Sequence, residues 1–510
     1  MTPTQAEAFP WHRTLPRIGT DQEFASLRAL LAACDYSYQG ICRNLKVDEL
    51  SKYKTGPVAP LIGKSMSSGG EALVRLFLDC VYTREDELER VLPAGSMDIL
   101  WSLDLIARHP DLPGLVFATA AILPVGKEIT VCDRGNAPDG ERCPLPPDVV
   151  YPAIFENTRE FIGQLPTAPC EAMLDLGTGT GIAAMCGART AKHVWASDIS
   201  ERCRHFTEFN RRLAGLENLT VVLGDMYAPF EAAAFDRIVT HPPYIPAKDT
   251  SLVFRDGGAD GEQIIRRAIE GLPRVLRPGG CFYSLQLATD REGEEFEQRI
   301  RRWLGAAQNE FDVILVSRWL RTRAEMLEEK SRPGLSEEDR TFRAAMWEAT
   351  KTTYVYYGWV LIRRHEDGRP PVTARMQAGS KFTGRAMEWL LEWESEAATP
   401  GGIEKLFDAR PRISPNCVFK AVHVVREGRF VPAQMVLEID RAFDCTLPCQ
   451  PWLVQVVSEC DGVKTWREHF VTARERGLIN PEDPPEAFAN GLRSLVAGGI
   501  LELAGKGVPI

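Results

Sequence analysis

Four consecutive residues, His241-Pro242-Pro243-Tyr244, close the apolar run from Phe235 to Val239. A strand of that character ordinarily passes into a polar turn. Here two proline rings stiffen the backbone and hold a carbonyl in one direction, while Tyr244 supplies a flat wall. A neutral imidazole adds one hydrogen-bond donor and one acceptor. Such a corner can grip the N–H groups of a planar nitrogen compound. Because histidine titrates near pH ~6.5, His241 can also serve as a general base toward an amine, a hydroxyl or a carboxylic acid. A third role, support of the loop by hydrogen bonds, stands beside these two.

Upstream, Asp175 ends the apolar run "MLDL" and is followed by Gly177, Thr178, Gly179 and Gly181. Glycines after a strand let the backbone approach a ligand without a Cβ and adopt positive φ where the turn demands it. The spacing is GxGxG, and Ile182 stands where a dinucleotide fingerprint needs its third glycine, so a nicotinamide cofactor is disfavoured. The next strand-like run ends in Asp198-Ile199, and an acid at that place can accept from both hydroxyls of a ribose. A third run ends in Asp225-Met226, suited to an amino group and the face of an adenine. The corner at His241 ends the fourth. In an open α/β sheet ligands sit at the carboxyl ends of the strands, so these four turns are expected to converge.

The elements that would position them fall into three blocks. Residues 1–120 read as mainly helical; "DQEFASLRALLAACDY" places leucines and alanines at helical spacing, with Asp21 as the expected N-cap. Residues 121–149 form a connection of strand-like runs and a Pro/Gly-rich loop, "GNAPDGERCPLPPD". From 150 to 365, short apolar runs alternate with helical segments, the pattern of βαβ units and a mostly parallel sheet. Seven strands are expected there, with a charged helical insertion at about 319–352 placed to cover the site. Residues 366–510 read as an α+β accessory domain, and the order helix, helix, helix, strand at 450–505 resembles a winged helix. Its third helix carries Arg493 as its one cation, a poor surface for phosphates.

The ordered set of strand ends resembles the class I S-adenosylmethionine-dependent methyltransferases over about residues 150–365. The resemblance implies a Rossmann-like α/β domain with a seven-stranded sheet. It also implies S-adenosyl-L-methionine as cofactor, S-adenosyl-L-homocysteine as product, and direct displacement without a metal. By it, Asp175, Gly177 and Gly179 line the methionine portion, with Thr178 and Gly181 completing the loop. Asp198 binds the ribose with Ile199 beside it, and Asp225 and Met226 bind the adenine. His241, Pro242 and Tyr244 match the [Asn/Asp/Ser]-Pro-Pro-[Tyr/Phe] motif of nitrogen methyltransferases, His241 bordering the cofactor as well as the acceptor. The stretch that follows, with Gly257, Gly258, Asp260 and Gly261, is similar to the release-factor glutamine N5-methyltransferase (HemK) family. The departure is His241, where that family has Asn. The expected acceptor is a nitrogen of a protein, peptide or small molecule. A nucleic-acid N-methyltransferase and a non-catalytic S-adenosylmethionine-binding protein are the two competing readings.

Composition narrows the setting. Over 510 residues the chain is 44% hydrophobic and 25% charged, the range of soluble globular proteins. The net charge of −10 speaks against a broad nucleic-acid surface. Thirteen cysteines without CxxC pairs fit free thiols in a reducing cytoplasm, and no run is long enough to span a bilayer. The first residues carry no signal-peptide pattern. The acids of "GGADGEQ" are expected to be a solvated turn, the tyrosines of "TYVYYGW" strand packing, and the cations of "ERCRHFTEFNRR" a solvated helix face.

Overall fold

A computed structural model describes residues 14–50, 53, 65–140, 145–230, 235–248, 252–328, 337–365 and 368–503. The sequence-based readings on residues 1–13, 141–144 and 329–336 (the absent signal pattern, part of the connecting loop and the middle of the charged insertion) lie outside these. The chain divides into two compact units. The first comprises 1–162, 169–233 and 239–258, and the second 163–168, 234–238 and 259–510.

The first unit begins with helix α1 (Asp21–Ala33). Its N-cap is Thr20, one residue ahead of the expected Asp21. The Thr20 hydroxyl accepts from Glu23 N at 3.3 Å while the Glu23 carboxylate accepts from Thr20 N at 2.7 Å. This reciprocal arrangement satisfies two orphan donors, and it leaves Asp21 to favour the positive end of the helix from its first turn. Phe24, Leu27, Leu30 and Leu31 face the core. A hairpin of β1 (Ala121–Val125) and β2 (Glu128–Cys132) follows.

Next come three strands in parallel register, β3 (Cys170–Leu176), β4 (Ala191–Asp198) and β5 (Leu219–Leu223), in the order β3-β4-β5. Helix α2 (Ile182–Gly187) leaves the end of β3, and α3 (Glu201–Ala214) leaves the end of β4. Ser200 caps α3 by accepting from Cys203 N, and Gly215 at φ 68° stops it. The cations of α3 are not all solvated, since Arg202 pairs with the buried Asp133.

Strand β6 (Phe235–Thr240) contributes its first four residues to the second unit and its last two to the first. In the first unit Thr240 Oγ1 donates to Leu176 O at 2.7 Å, which sets the end of β6 beside the end of β3.

The second unit holds β7 (Leu276–Arg291), β8 (Phe311–Thr322), β9 (Thr352–Arg364) and β10 (Thr373–Gln377), in the order β10-β8-β9-β7. Strand β9 runs antiparallel to both neighbours, and β10 runs parallel to β8. The strand order thus counts eight where seven are expected. The addition, β10, is five residues long and polar, so it carries no alternating pattern to betray it. Arg375 within it pairs with Asp290 at 2.6 Å and with Glu297.

Beyond the sheet lies an additional C-terminal region. β11 (Pro411–Ile413) pairs antiparallel with a strand 90 residues later, and β12 (Val418–Arg426), β13 (Arg429–Asp440) and β14 (Asp444–Pro448) form a meander. Helices α4 (Pro451–Ser458), α5 (Trp466–Glu475) and α6 (Pro485–Ala497) then lead into β15 (Leu501–Leu503), the partner of β11. Arg493 on α6 is held by Glu394 at 2.6 Å, so it is not presented to a phosphate. No helix among the described residues is long and apolar enough to cross a membrane.

Candidate active site

All of the sequence-predicted site residues lie in the first unit. Asp175, next to last in β3, is buried. Its Oδ2 accepts from Thr178 Oγ1 at 2.6 Å and from Ala184 N at 3.0 Å, so the carboxylate holds the glycine turn to the start of α2. Burial pushes its pKa up to about 6. Gly177 N and Thr178 N both donate to Ser197 O, at 2.8 and 3.0 Å, which draws the turn against β4.

The three glycines share positive φ (73°, 57° and 81°) but serve different ends. A Cβ on Gly181 would lie 2.7 Å from Thr207 Cγ2, so α3 demands the glycine there. A Cβ on Gly177 or Gly179 would meet no atom within 4 Å. The turn therefore borders open room at these two positions, as a backbone that cradles a ligand does.

Asp198 ends β4, 8% exposed. Its Oδ2 accepts from Gly179 N and its Oδ1 from Ser200 N, both at 3.0 Å. Each oxygen keeps lone-pair capacity for a further donor. Burial raises its pKa. Gly224 N donates to Asp198 O at 2.9 Å, bringing the end of β5 to the same place. Around this acid the surface is apolar: Ile199 is 57% exposed and Leu223 is exposed too. Asp225 is exposed, and Met226, half-buried, holds φ at 51°, a left-handed conformation uncommon outside glycine. The turns after β3, β4 and β5 are thus laced together by backbone hydrogen bonds.

The corner after β6 joins them through Thr240. The His241 ring lies 5.2 Å from Phe161 and 5.8 Å from Tyr244, centroid to centroid. Its Nε2 is buried with no hydrogen-bond partner among the described residues. Burial alone pushes the imidazole down to about 4, so at neutral pH the ring is uncharged. An imidazole that releases its proton so readily is a weak base near neutrality but a competent acceptor of one hydrogen bond.

Sequence reasoning missed a set of aromatic side chains around this corner. Ile245 N donates to Arg255 O at 3.1 Å and Gly257 N to Ile245 O at 2.8 Å, folding residues 252–258 back onto the corner. Val253 N donates to Pro147 O at 3.1 Å, which brings in the segment ahead of β3. The result is a three-ring stack. Tyr151 stacks with Phe254 and with Phe155, each at 4.6 Å between centroids, with interplanar angles of 13° and 21°. Burial, then the nearby Tyr244, raises the Tyr151 phenol. The only sequence signal was "YPAIFENTREF", with aromatics at 151, 155 and 161.

Other candidates resolve structurally. In the second unit Glu262, from "GGADGEQ", is buried and accepts from Arg299 at 2.8 Å, Arg291 at 3.1 Å and Thr289 at 3.0 Å. The expectation of a solvated turn is corrected for that residue: its charge is compensated inside the protein. Asp260 pairs with Arg291 at 3.2 Å. Tyr356, Tyr357 and Trp359 are buried in β9 and Tyr354 is exposed, so the cluster packs the strand. Among the described residues no group of three metal-ligating side chains occurs.

Residues 154–308 match the family model of the methyltransferase small domain. The chain is 32% identical over 157 residues to a release factor glutamine methyltransferase of Moorella thermoacetica, covering 28% of this chain and 54% of that protein. It is 32% identical over 167 residues to a ribosomal protein uL3 glutamine methyltransferase of Bradyrhizobium diazoefficiens, covering 30% and 52%. A putative protein N5-glutamine methyltransferase of Methanocaldococcus jannaschii is 30% identical over 163 residues, covering 31% of this chain and 81% of that protein. The chain spans about half the length of the first two.

Proposed function

We propose a function from one premise: the chain belongs to the methyltransferase small domain family and is distantly related to the protein glutamine N5-methyltransferases. On that premise it is an S-adenosylmethionine-dependent methyltransferase acting on a nitrogen of a protein, peptide or small-molecule acceptor. The supporting observation is the convergence of three strand ends on open room at Gly177 and Gly179, with a neutral imidazole whose buried Nε2 has no hydrogen-bond partner among the described residues.

When bound, the cofactor supplies a methyl group on a positively charged sulfonium. The residues present fit it. Gly177 and Gly179 line its methionine portion, Thr178 and Gly181 complete the loop, and Asp175 acts through Thr178 by fixing that turn. Asp198 accepts from the ribose hydroxyls. Ile199 and Met226 give apolar faces to the adenine, and Asp225 accepts from its amino group. His241 Nε2 accepts one N–H of the acceptor, which orients the nitrogen lone pair for attack, while Pro242 and Pro243 keep a carbonyl in reach of a second N–H. Tyr244 and Phe161 close the sides and exclude water. Because His241 is uncharged at neutral pH, it grips and does not store a proton. We assign catalysis to 150–365, with 1–120 and 121–149 ahead of it and 366–510 as the accessory region. A nucleic-acid acceptor gains no support from α6, whose one cation is engaged.

The test is calorimetry with S-adenosylmethionine, followed by transfer of labelled methyl to protein, peptide and small-molecule fractions. Binding with a labelled nitrogen product is expected. A protein that does not bind the cofactor overturns the reading.

A further inference from the structure

Strand β12 is an edge strand of a kind that soluble proteins rarely leave bare. The order β12-β13-β14 gives it one neighbour, and no strand among the described residues pairs with its outer side. It is nine residues long, about 30 Å at ~3.3 Å per residue, and every residue is exposed. Its sequence, "VFKAVHVVR", contains neither Pro nor Gly. The register shift in the ribbon falls between Val422↔Gln434 and His423↔Pro432, so the extra residue belongs to β13 and β12 itself is regular. Bulge and proline, two of the usual protections of an edge, are therefore missing from this strand, and Lys420, which pairs with Glu438, and Arg426 are its two fixed charges. Apolar side chains compound this: Val422 is 46% exposed, Val425 63% and Phe430, opposite Val425 on β13, 77%.

We propose that the occupant of this edge is the same strand of a second copy of the chain, paired antiparallel about a twofold axis through Val422. Full pairing of the nine residues sets the register, and charge is compatible with it. With the axis at Val422, Phe419 faces Val425 of the second copy, Lys420 faces Val424, Ala421 faces His423 and Val418 faces Arg426. All nine residues pair and no like charges meet. Moving the axis to His423 sets Lys420 against Arg426, and moving it to Lys420 sets that lysine against its own copy; like charges directly opposite are destabilising. The chosen register also lines Phe430 and Val425 up with Phe419 of the second copy, an apolar row that occurs twice by symmetry. The inference does not depend on the proposed catalytic activity.

Light scattering after size exclusion tests it on the full chain from about 1 to about 100 µM, the range a small interface requires. The mass is expected to double across that range. Val422→Lys and Val422→Glu each place like charges on the axis and are expected to stay monomeric, while an equimolar mixture of the two regains the doubled mass. Hydrogen exchange gives a reading without substitution: amides of β12 are expected to exchange more slowly at the higher concentration. A wild-type chain monomeric at about 100 µM overturns the proposal and leaves the edge to a foreign polypeptide strand or another partner. So do a Val422→Lys chain that still doubles, a mixture that does not, or β12 exchange that ignores concentration.

Discussion

His241 gives the most direct physical test of the site. Enclosure between Phe161 and Tyr244 lowers its pKa from the usual ~6.5 to about 4. At ~1.4 kcal/mol per unit, that environment disfavours the imidazolium by about 3 kcal/mol. The unfolded chain binds the proton between pH ~4 and ~6.5 and the folded chain does not, so stability rises with pH through that window and is level above it. At pH 5 the unfolded imidazole is almost fully charged and the folded one about a tenth charged, a cost of ~2 kcal/mol relative to pH 7. Asp175 runs in the opposite sense. Its folded pKa is raised to about 6, so its contribution is present at low pH and fades as pH rises through 6. The comparison must therefore be wild type against His241→Asn at each pH. Histidine-selective NMR titration, with the Asn variant identifying the resonance, is expected to place the midpoint near 4. Urea unfolding is expected to show the variant losing ~2 kcal/mol less than the wild type between pH 7 and pH 5. A His241 midpoint at 6 or above, or parallel stability profiles, refutes the claim that the ring is neutral by enclosure.

Three further outcomes follow from the packing. Gly181→Ala sets a Cβ against Thr207 at positive φ and is expected to cost about 2–4 kcal/mol in a thermal melt. Gly179→Ala meets no atom, so it is expected to cost only about 1 kcal/mol of stability yet weaken S-adenosylmethionine binding at least ~10-fold by calorimetry. In the second unit, Asp312 accepts from Arg369 at 2.9 Å and from Val372 N at 2.8 Å, all three buried. Asp312→Ala is expected to cost about 3–5 kcal/mol in denaturant unfolding, because it strands the buried guanidinium.

The parts of this architecture written in local pattern were legible from sequence. Strands such as "FDRIV" and "TYVYYGWVLIRR" announce themselves by their β-branched and aromatic residues, and the glycine turn by its spacing. What escaped was set by partners distant in the chain. β10 is short and polar, and is held in place by ion pairs of Arg375 with Asp290 and Glu297. Asp175 looks like a ligand contact in sequence, and what the motif does not record is that its Oδ2 accepts from Thr178 and Ala184. The protonation of His241 depends on burial beside Phe161, 80 residues earlier in the chain, which no motif records. Thr20 displaced Asp21 as the cap because a reciprocal bond with Glu23 needs a hydroxyl three residues ahead of that acid.

The pairing of β11 with β15 has a consequence for how the C-terminal region comes into being. Arg412 grips Glu502 at 2.8 Å, Ser414 donates to the same carboxylate at 2.8 Å, and Ser414 N donates to Ile500 O at 3.0 Å. The residues that fasten this region therefore emerge from the ribosome on either side of everything they enclose. Until Glu502 has been synthesised, the meander and its three helices wait on an open latch. That interval is when chaperones or proteases would find them.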